Sequence, residues 1–316
     1  MSQENMVTLT IDGVKVTVPD TMTIMEAAET QLGIRIPRLC YHPDLSIQGS
    51  CRVCIVDVKG IPFYQASCAV KVAQGMEVET NNPAIRQARR DIVELLLDNH
   101  PRACLTCDRD GNCELQNVAY ATGVRERLFA GERKRFPIEN TNLAVDRDPE
   151  KCILCGRCVR ICDEVQGVHN LSQQGRGFHT LVAPAHDACM DDSVCIQCGQ
   201  CVAACPTAAF TEHDHTEEVW KALADPTKHV VAHTAPAIRA TIGEGFGMPL
   251  GTPAAGKLVT ALRRLGFDRV FDTNFSADLT IIEEANEFMQ RFSKNERLPL
   301  LTSCSPGWVN FLEKFY

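Results

Sequence analysis

Residues 7 to 18, VTLTIDGVKVTV, alternate apolar and polar side chains on either side of Asp12-Gly13. That period-two pattern predicts two strands joined by a tight hairpin. A helical stretch follows near Ile24 to Gln31, giving a small β-rich opening. From Pro83 to Asp98 the apolar positions Ile85, Ile92, Leu95, Leu96 and Leu97 fall near one face of a helix, and that helix runs directly into His100. Residues 120 to 150 are charged with little periodicity and read as a connector. Beyond about residue 215, HVVAHT, RVFDTNF and LPLLTSC read as strands and AAGKLVTALRRLGF, ADLTIIEEANEFMQRF and SPGWVNFLEKFY as helices. This alternation predicts a parallel sheet. In the last helix Trp308, Phe311, Leu312 and Phe315 have no later segment to pack against, so a partner or further chain is expected to cover them.

Composition changes this picture chiefly through cysteine. The 316 residues suffice for two or three domains, more if some are small and stapled by metal. The 17 cysteines lie mostly in short regular groups, separated by long stretches of ordinary core composition. No basic and apolar leader precedes them, since the chain opens MSQENMVTLTID. Metal ligation in a reducing cytosol therefore fits better than a secreted disulfide scaffold, and a cytoplasmic location is expected. No apolar run reaches about 18 residues, and a formal net charge of -8 without a sustained Lys/Arg cluster argues against nucleic acid or anionic lipid. Protein partners and small carriers remain.

Cys40, Cys51, Cys54 and Cys68 are spaced C-x10-C-x2-C-x13-C, which points to a 2Fe-2S cluster; a four-cysteine zinc site is the alternative, and it usually uses two C-x2-C knuckles where this segment has one. His100, Cys104, Cys107 and Cys113 give H-x3-C-x2-C-x5-C, a closed set with no position for substrate. A 4Fe-4S relay is the reading, with zinc held by three thiolates and one imidazole as its rival. Cys152, Cys155, Cys158 and Cys162 form C-x2-C-x2-C-x3-C, repeated as Cys195, Cys198, Cys201 and Cys205 and followed by Pro206. This doubled run is that of two-cluster ferredoxins, in which the fourth cysteine serves the other cluster. The expected sets are thus Cys152, Cys155, Cys158 with Cys205, and Cys195, Cys198, Cys201 with Cys162; Asp163 stands where a proline is usual. Cys189 fits no pattern and reads as a small buried hydrophobe, while GEGFG at 243 to 247 reads as a turn.

The cluster series, followed by TAPAIR, ADLTIIEE and TSCSPGW, resembles the [FeFe]-hydrogenases over essentially the whole chain, particularly the multi-cluster subunit of NAD(P)-linked or electron-bifurcating enzymes. The resemblance implies an α+β multidomain fold: a β-grasp 2Fe-2S ferredoxin over 1–82, a His/Cys-ligated 4Fe-4S domain over 83–141, a two-4Fe-4S ferredoxin domain over 142–215, and from 216 to 316 the start of a catalytic lobe built on a parallel α/β sheet. It places Ala235, Pro236 and Ala237 beside a two-iron subcluster, and makes Glu284 and Glu287, on one helix face, members of a proton path ending at Cys304. The family signature reads TSCCPxW, with the first cysteine relaying protons and the second ligating iron; here Cys304 matches the first and Ser305 replaces the second. Serine is a poor ligand for such iron, so either Cys304 takes the ligand role or that cluster is compromised. The later cysteine motifs of the family do not occur within residues 1 to 316, so the H-cluster is not expected to be complete in this chain.

The expected cofactors are one 2Fe-2S and three 4Fe-4S clusters. The expected partners are flavin- and NAD(P)-binding and small iron-sulfur subunits, or a ferredoxin. Two functions follow: electron transfer to or from a hydrogen-activating site, or a non-catalytic relay that wires a flavin diaphorase to a different catalyst, with the α/β lobe as docking surface.

Overall fold

The Asp12-Gly13 turn closes the predicted hairpin: strands β1 (Met6–Ile11) and β2 (Val14–Pro19) pair antiparallel, with Ile11 opposite Val14. The computed structural model describes residues 5–125, 129 and 131–316; residues 1–4 of the polar opening and residues 126–128 and 130 of the predicted connector lie outside the described residues. Helix α1 (Ile24–Leu32) starts from a capping box in which Thr23 and Glu26 satisfy each other's backbone amides, and it stops at Gly33. Strands β3 (Ile55–Val58), β4 (Gln65–Ala66) and β5 (Glu77–Glu79) complete a mixed sheet of order β2-β1-β5-β3-β4, with β5 parallel to β1. Leu9, Ile11, Val18, Ile24, Met25, Ala27 and Ala28 form its core, the β-grasp arrangement of helix on sheet.

Helix α2 (Pro83–Asn99) begins where Asn82 accepts from the Ile85 amide at 2.8 Å and Pro83 pre-sets the first turn. Its buried stripe is Ile85, Arg89 and Val93; Leu95, expected on that face, is carried off it by the helical period and is 57% exposed. The Arg89 guanidinium donates to the carbonyls of Ile55 at 2.6 Å and Thr80 at 2.9 Å, tying α2 to the sheet. Helix α3 (Glu114–Thr122) follows and is stopped by Gly123, so the connector starts later than the sequence suggested.

The repeat region is bracketed by β6 (Val145–Arg147), and opens with α4 (Arg157–Arg160), which continues into a π turn at Ile161–Val165. A short antiparallel pair, β7 (Ser172–Gln174) and β8 (Leu181–Ala183), precedes α5 (Gln200–Ala204) and β9 (Phe210–Glu212), and β9 closes back on β6. Buried Arg147 joins Glu139 at 2.7 Å and the Val182 carbonyl at 3.0 Å.

A second compact unit spans Asp214–Cys304. It contains α6 (Thr216–Ala224), β10 (Val231–His233), α7 (Ile238–Thr241), α8 (Ala255–Leu265), β11 (Arg269–Phe271) and α9 (Thr273–Lys294). β10 and β11 are parallel, as the alternation predicts. α9 starts earlier than expected, because Asp272 accepts from the Phe275 amide and caps it. The predicted third strand is not formed: residues 298–304 are irregular, and Pro299 offers no amide to a ladder. GEGFG is a turn, with Gly247 in the left-handed region. Helix α10 (Pro306–Phe315) belongs to the first unit, with Ser305–Tyr316 grouped with residues up to His213. Among the described residues no helix is long and apolar enough to cross a membrane.

Candidate metal centres

The loop from Cys40 to Cys54 and the segment after β4 bring four thiols together as two adjacent pairs. Cys40 is paired with Cys51, and the Cys54 and Cys68 sulfurs stand 3.4 Å apart. Arg52, in the left-handed region at φ 57, turns the chain sharply between Cys51 and Cys54. Within each pair one thiol stabilises the other as thiolate: a hydrogen bond from Cys51 brings Cys40 down to about 5, and one from Cys68 brings Cys54 down to about 6. Their partners are pushed up. Two irons with two thiolates each match this division.

α2 delivers His100 as predicted. His100 lines one cavity with Cys104, Cys107 and Cys113, while Lys151 and Ala208 from the repeat region close it. Burial, then Lys151, lowers the imidazole to about 4, so at neutral pH it is a neutral ligand-competent base. Its Nδ1 is buried without a hydrogen-bond partner. A buried ring nitrogen without a partner is costly unless something in the cavity accepts its lone pair, and metal does so. Cys113 sits at the start of α3, where its sulfur donates to the Pro206 carbonyl at 3.6 Å.

The two halves of the doubled run have the same backbone. Leu154 and Gln197 are left-handed at φ 55 and 59, and so are Gly156 and Gly199 at φ 71 and 72. Alternation between left- and right-handed residues folds amides inward as an anion nest. The Leu154 amide donates to Cys152 Sγ and the Gln197 amide to Cys195 Sγ, each at 3.4 Å. Cys162, though sequential with the first half, lines a cavity with Cys195, Cys198 and Cys201, and the Asn170 amide donates to its sulfur at 3.4 Å. Cys205 in turn faces Cys152, Cys155 and Cys158. Burial pushes the Cys152 thiol up to about 11 and that of Cys155 to about 12, and raises Cys158 and Cys201 as well. Such thiols become thiolates when a metal supplies the compensating charge. Among the described residues no three His, Cys, Asp or Glu side chains converge on the point that a single metal ion needs. The His100 group and the group of Cys162, Cys195, Cys198 and Cys201 each line a cavity instead.

The three motif regions meet at α4, which the sequence did not single out. Arg157 forks onto both oxygens of Glu114, the residue after Cys113, at 2.6 and 2.8 Å. Arg160 donates to the Cys40 carbonyl at 2.7 Å and to that of Ser46. The Glu114 amide donates to the Pro206 carbonyl at 3.0 Å, and Arg109 to that of Val202 at 2.9 Å. Two arginines flanking the third cysteine of CILCGRCVR were the available signal.

The candidate catalytic residues are less gathered. In the second unit, Glu284 accepts from Thr302, two residues before Cys304, whereas Glu287 pairs with Arg291 of its own helix. Cys304 is exposed. Ala235, Pro236 and Ala237 lead into α7, where Arg239 donates to the Pro236 carbonyl at 3.2 Å. Ser305 caps α10 by accepting from the Trp308 amide. α10 lies on the second half of the ferredoxin run: Asn310 donates to the Ile196 carbonyl at 3.3 Å, and Lys314 to those of Cys195 at 2.7 Å and Ser193 at 3.0 Å. Cys189, expected to be buried, is exposed.

Four family descriptions match successive parts of the chain: a 2Fe-2S iron-sulfur cluster binding domain at residues 4–83, the NADH-ubiquinone oxidoreductase-G iron-sulfur binding region at 89–127, a 4Fe-4S dicluster domain at 151–209, and the C-terminal domain of the iron only hydrogenase large subunit at 228–316. The chain is 48% identical over 320 residues to the NADP-reducing hydrogenase subunit HndD of Solidesulfovibrio fructosivorans, covering 98% of this chain and 54% of that protein. It is 37% identical over 313 residues to iron hydrogenase 1 of Clostridium pasteurianum, again covering 98% of this chain and 54% of the relative. The chain therefore spans about half the length of these curated relatives. Among solved structures, a chain of an NAD+-reducing [NiFe]-hydrogenase in its H2-reduced state superposes with a TM-score of 0.62 at 30% identity, covering 66% of this chain and 88% of that one.

Proposed function

From the premise that the chain belongs to the multi-cluster, [FeFe]-hydrogenase-like iron-sulfur subunits, we propose that it carries electrons between a redox partner and a hydrogen-activating site. The partner is an NAD(P)H-oxidising flavin subunit or a ferredoxin, in a cytoplasmic complex that also holds small iron-sulfur subunits. Cys40, Cys51, Cys54 and Cys68 hold a 2Fe-2S cluster. His100, Cys104, Cys107 and Cys113 hold a 4Fe-4S cluster, and the crossed cysteine sets of the repeat hold two more. When bound, these clusters supply one-electron steps; the chain's part is to bury them, to aim amides at their sulfurs and to hold them close enough for transfer. The observation that carries the reading is the crossover, in which Cys162 shares a cavity with Cys195, Cys198 and Cys201 while Cys205 faces the first three.

Iron and acid-labile sulfide counting with EPR is the test: about fourteen irons per chain and separate 2Fe-2S and 4Fe-4S signals are expected from one two-iron and three four-iron clusters. About four metals per chain, with zinc among them, would overturn it.

A non-catalytic relay is the second reading, with Ser305 as its motive. Its hydroxyl is engaged in capping α10, so the position where the family places a cluster cysteine carries a helix start. On this reading Cys304, Glu284 and Glu287 carry no protons and Ala235, Pro236 and Ala237 line no two-iron subcluster. Hydrogen-deuterium exchange activity separates the readings: activity in the purified complex that falls at least a hundredfold in Cys304→Ala and Glu284→Gln supports the hydrogenase role, and none at all supports the relay.

A further inference from the structure

Arg157 and Arg160 stand one helical turn apart on α4, and both are buried, at 4% and 7% exposure. Arg160 is used up on backbone: Nε donates to the Gly156 carbonyl at 3.2 Å, and its two remaining nitrogens reach the carbonyls of Cys40 and Ser46. Arg157 differs. Two of its nitrogens clamp the half-exposed Glu114, but the Nε–H is buried and meets no acceptor in the protein. Arg157 stands between Cys155 and Cys158 in the chain, and Arg160, one turn on, holds the Cys40 carbonyl at 2.7 Å, so the buried guanidinium lies on the short helix that joins the two cysteine groups. A sealed guanidinium with one N–H unsatisfied calls for an acceptor nearby. Cys155 and Cys40 belong to two different centres in the functional reading, on which this inference rests.

We propose that Arg157 sets the reduction potentials of the Cys40-containing 2Fe-2S centre and the Cys155-containing 4Fe-4S centre together, with Glu114 setting how much of its charge they feel. Thiolate-ligated clusters are anionic, and reduction adds a further electron, so a fixed cation in a dry interior favours the reduced form of each. One charge on the helix that joins both centres moves their potentials in parallel. The step between them stays level while both shift relative to the donor. Arg160 is a positioning residue that holds the Cys40 loop on α4.

The test uses the full chain isolated without oxygen, with iron and sulfide counted first; missing clusters would overturn the functional reading and this proposal with it. Redox titration followed by EPR then gives the midpoints. In Arg157→Met both midpoints fall by the equivalent of at least a tenfold change in the reduction equilibrium, 59 mV for a one-electron couple. Arg157→Lys keeps most of the potential, Glu114→Gln raises both, and the centre held by Cys195, Cys198 and Cys201 does not move. Unchanged midpoints in Arg157→Met overturn the proposal. So does movement of Arg157→Met and Glu114→Gln in the same direction, the mark of a lost structural clamp. Should Arg157→Met fail to fold, Glu114→Gln, which keeps the guanidinium, decides alone by the sign of its shift.

Discussion

The metal-binding unit and the α/β unit bury very different amounts of their apolar surface. In the first, Leu9, Ile11, Ile24, Leu39, Ile85, Leu115 and Phe210 are all almost fully enclosed, and charged groups such as Arg89, Arg147 and Arg157 are buried as well. In the second, Ala254 and Leu258 are the only buried apolar side chains among the described residues, and α9 has none. Phe275, Leu279, Ile282 and Met289 repeat at helical spacing along α9 and stay about half exposed. The difference lies in architecture. The cysteine-rich segments close on themselves because each folds around a short core of its own, whereas a parallel sheet needs cover on both faces and two strands give little to pack against. An exposed apolar stripe of that kind marks a surface that associates.

The comparison breaks first, and by the largest effect, at the cysteines. Cys201→Ala removes a ligand whose burial disfavours its own ionised form; about four of about fourteen irons should be lost, with unfolding of the repeat region. Retained iron and an unchanged EPR spectrum would refute Cys201 as a ligand. Arg147→Met leaves Glu139 buried without its partner and should cost about 3–5 kcal/mol, read from the denaturation midpoint. Ile11→Ala opens a cavity in the five-stranded sheet and should cost about 2–5 kcal/mol, while Ile281→Ala on exposed α9 should stay within about 0.5 kcal/mol. Equal costs would mean that α9 is covered in solution. Smallest is Asp272→Ala, which removes the α9 cap for about 1 kcal/mol and should speed amide exchange in its first turn.

Local chemistry made most of the metal unit readable in advance. Asp12-Gly13 specifies its own turn, and Asn82-Pro83 starts α2 where expected; cysteine spacing gathers residues that the fold does bring together. What was not readable depends on distant contacts. Arg160 finds Cys40 across 120 residues. LPLLTSC has the apolar texture of a strand, yet Pro299 denies it an amide. α10 leaves the lobe it was assigned to because Asn310 and Lys314 have carbonyls to reach in the Ile196 loop. The candidate catalytic residues were named from family likeness, and the fold links only Glu284 to the segment before Cys304.

The crossover of Cys162 and Cys205 also bears on how the protein is made. A ribosome delivers the Cys152–Cys162 half well before Cys205 emerges, so on the proposed assignment the set of Cys152, Cys155 and Cys158 lacks its fourth sulfur until then, whereas the second set finds Cys162 already made. The first three thiols must wait, open and oxidisable, for a segment more than forty residues downstream. On the proposed assignment the first of these clusters forms only after Cys205 has been made, and the shorter nascent chain is the form whose thiols an oxygen-free environment protects.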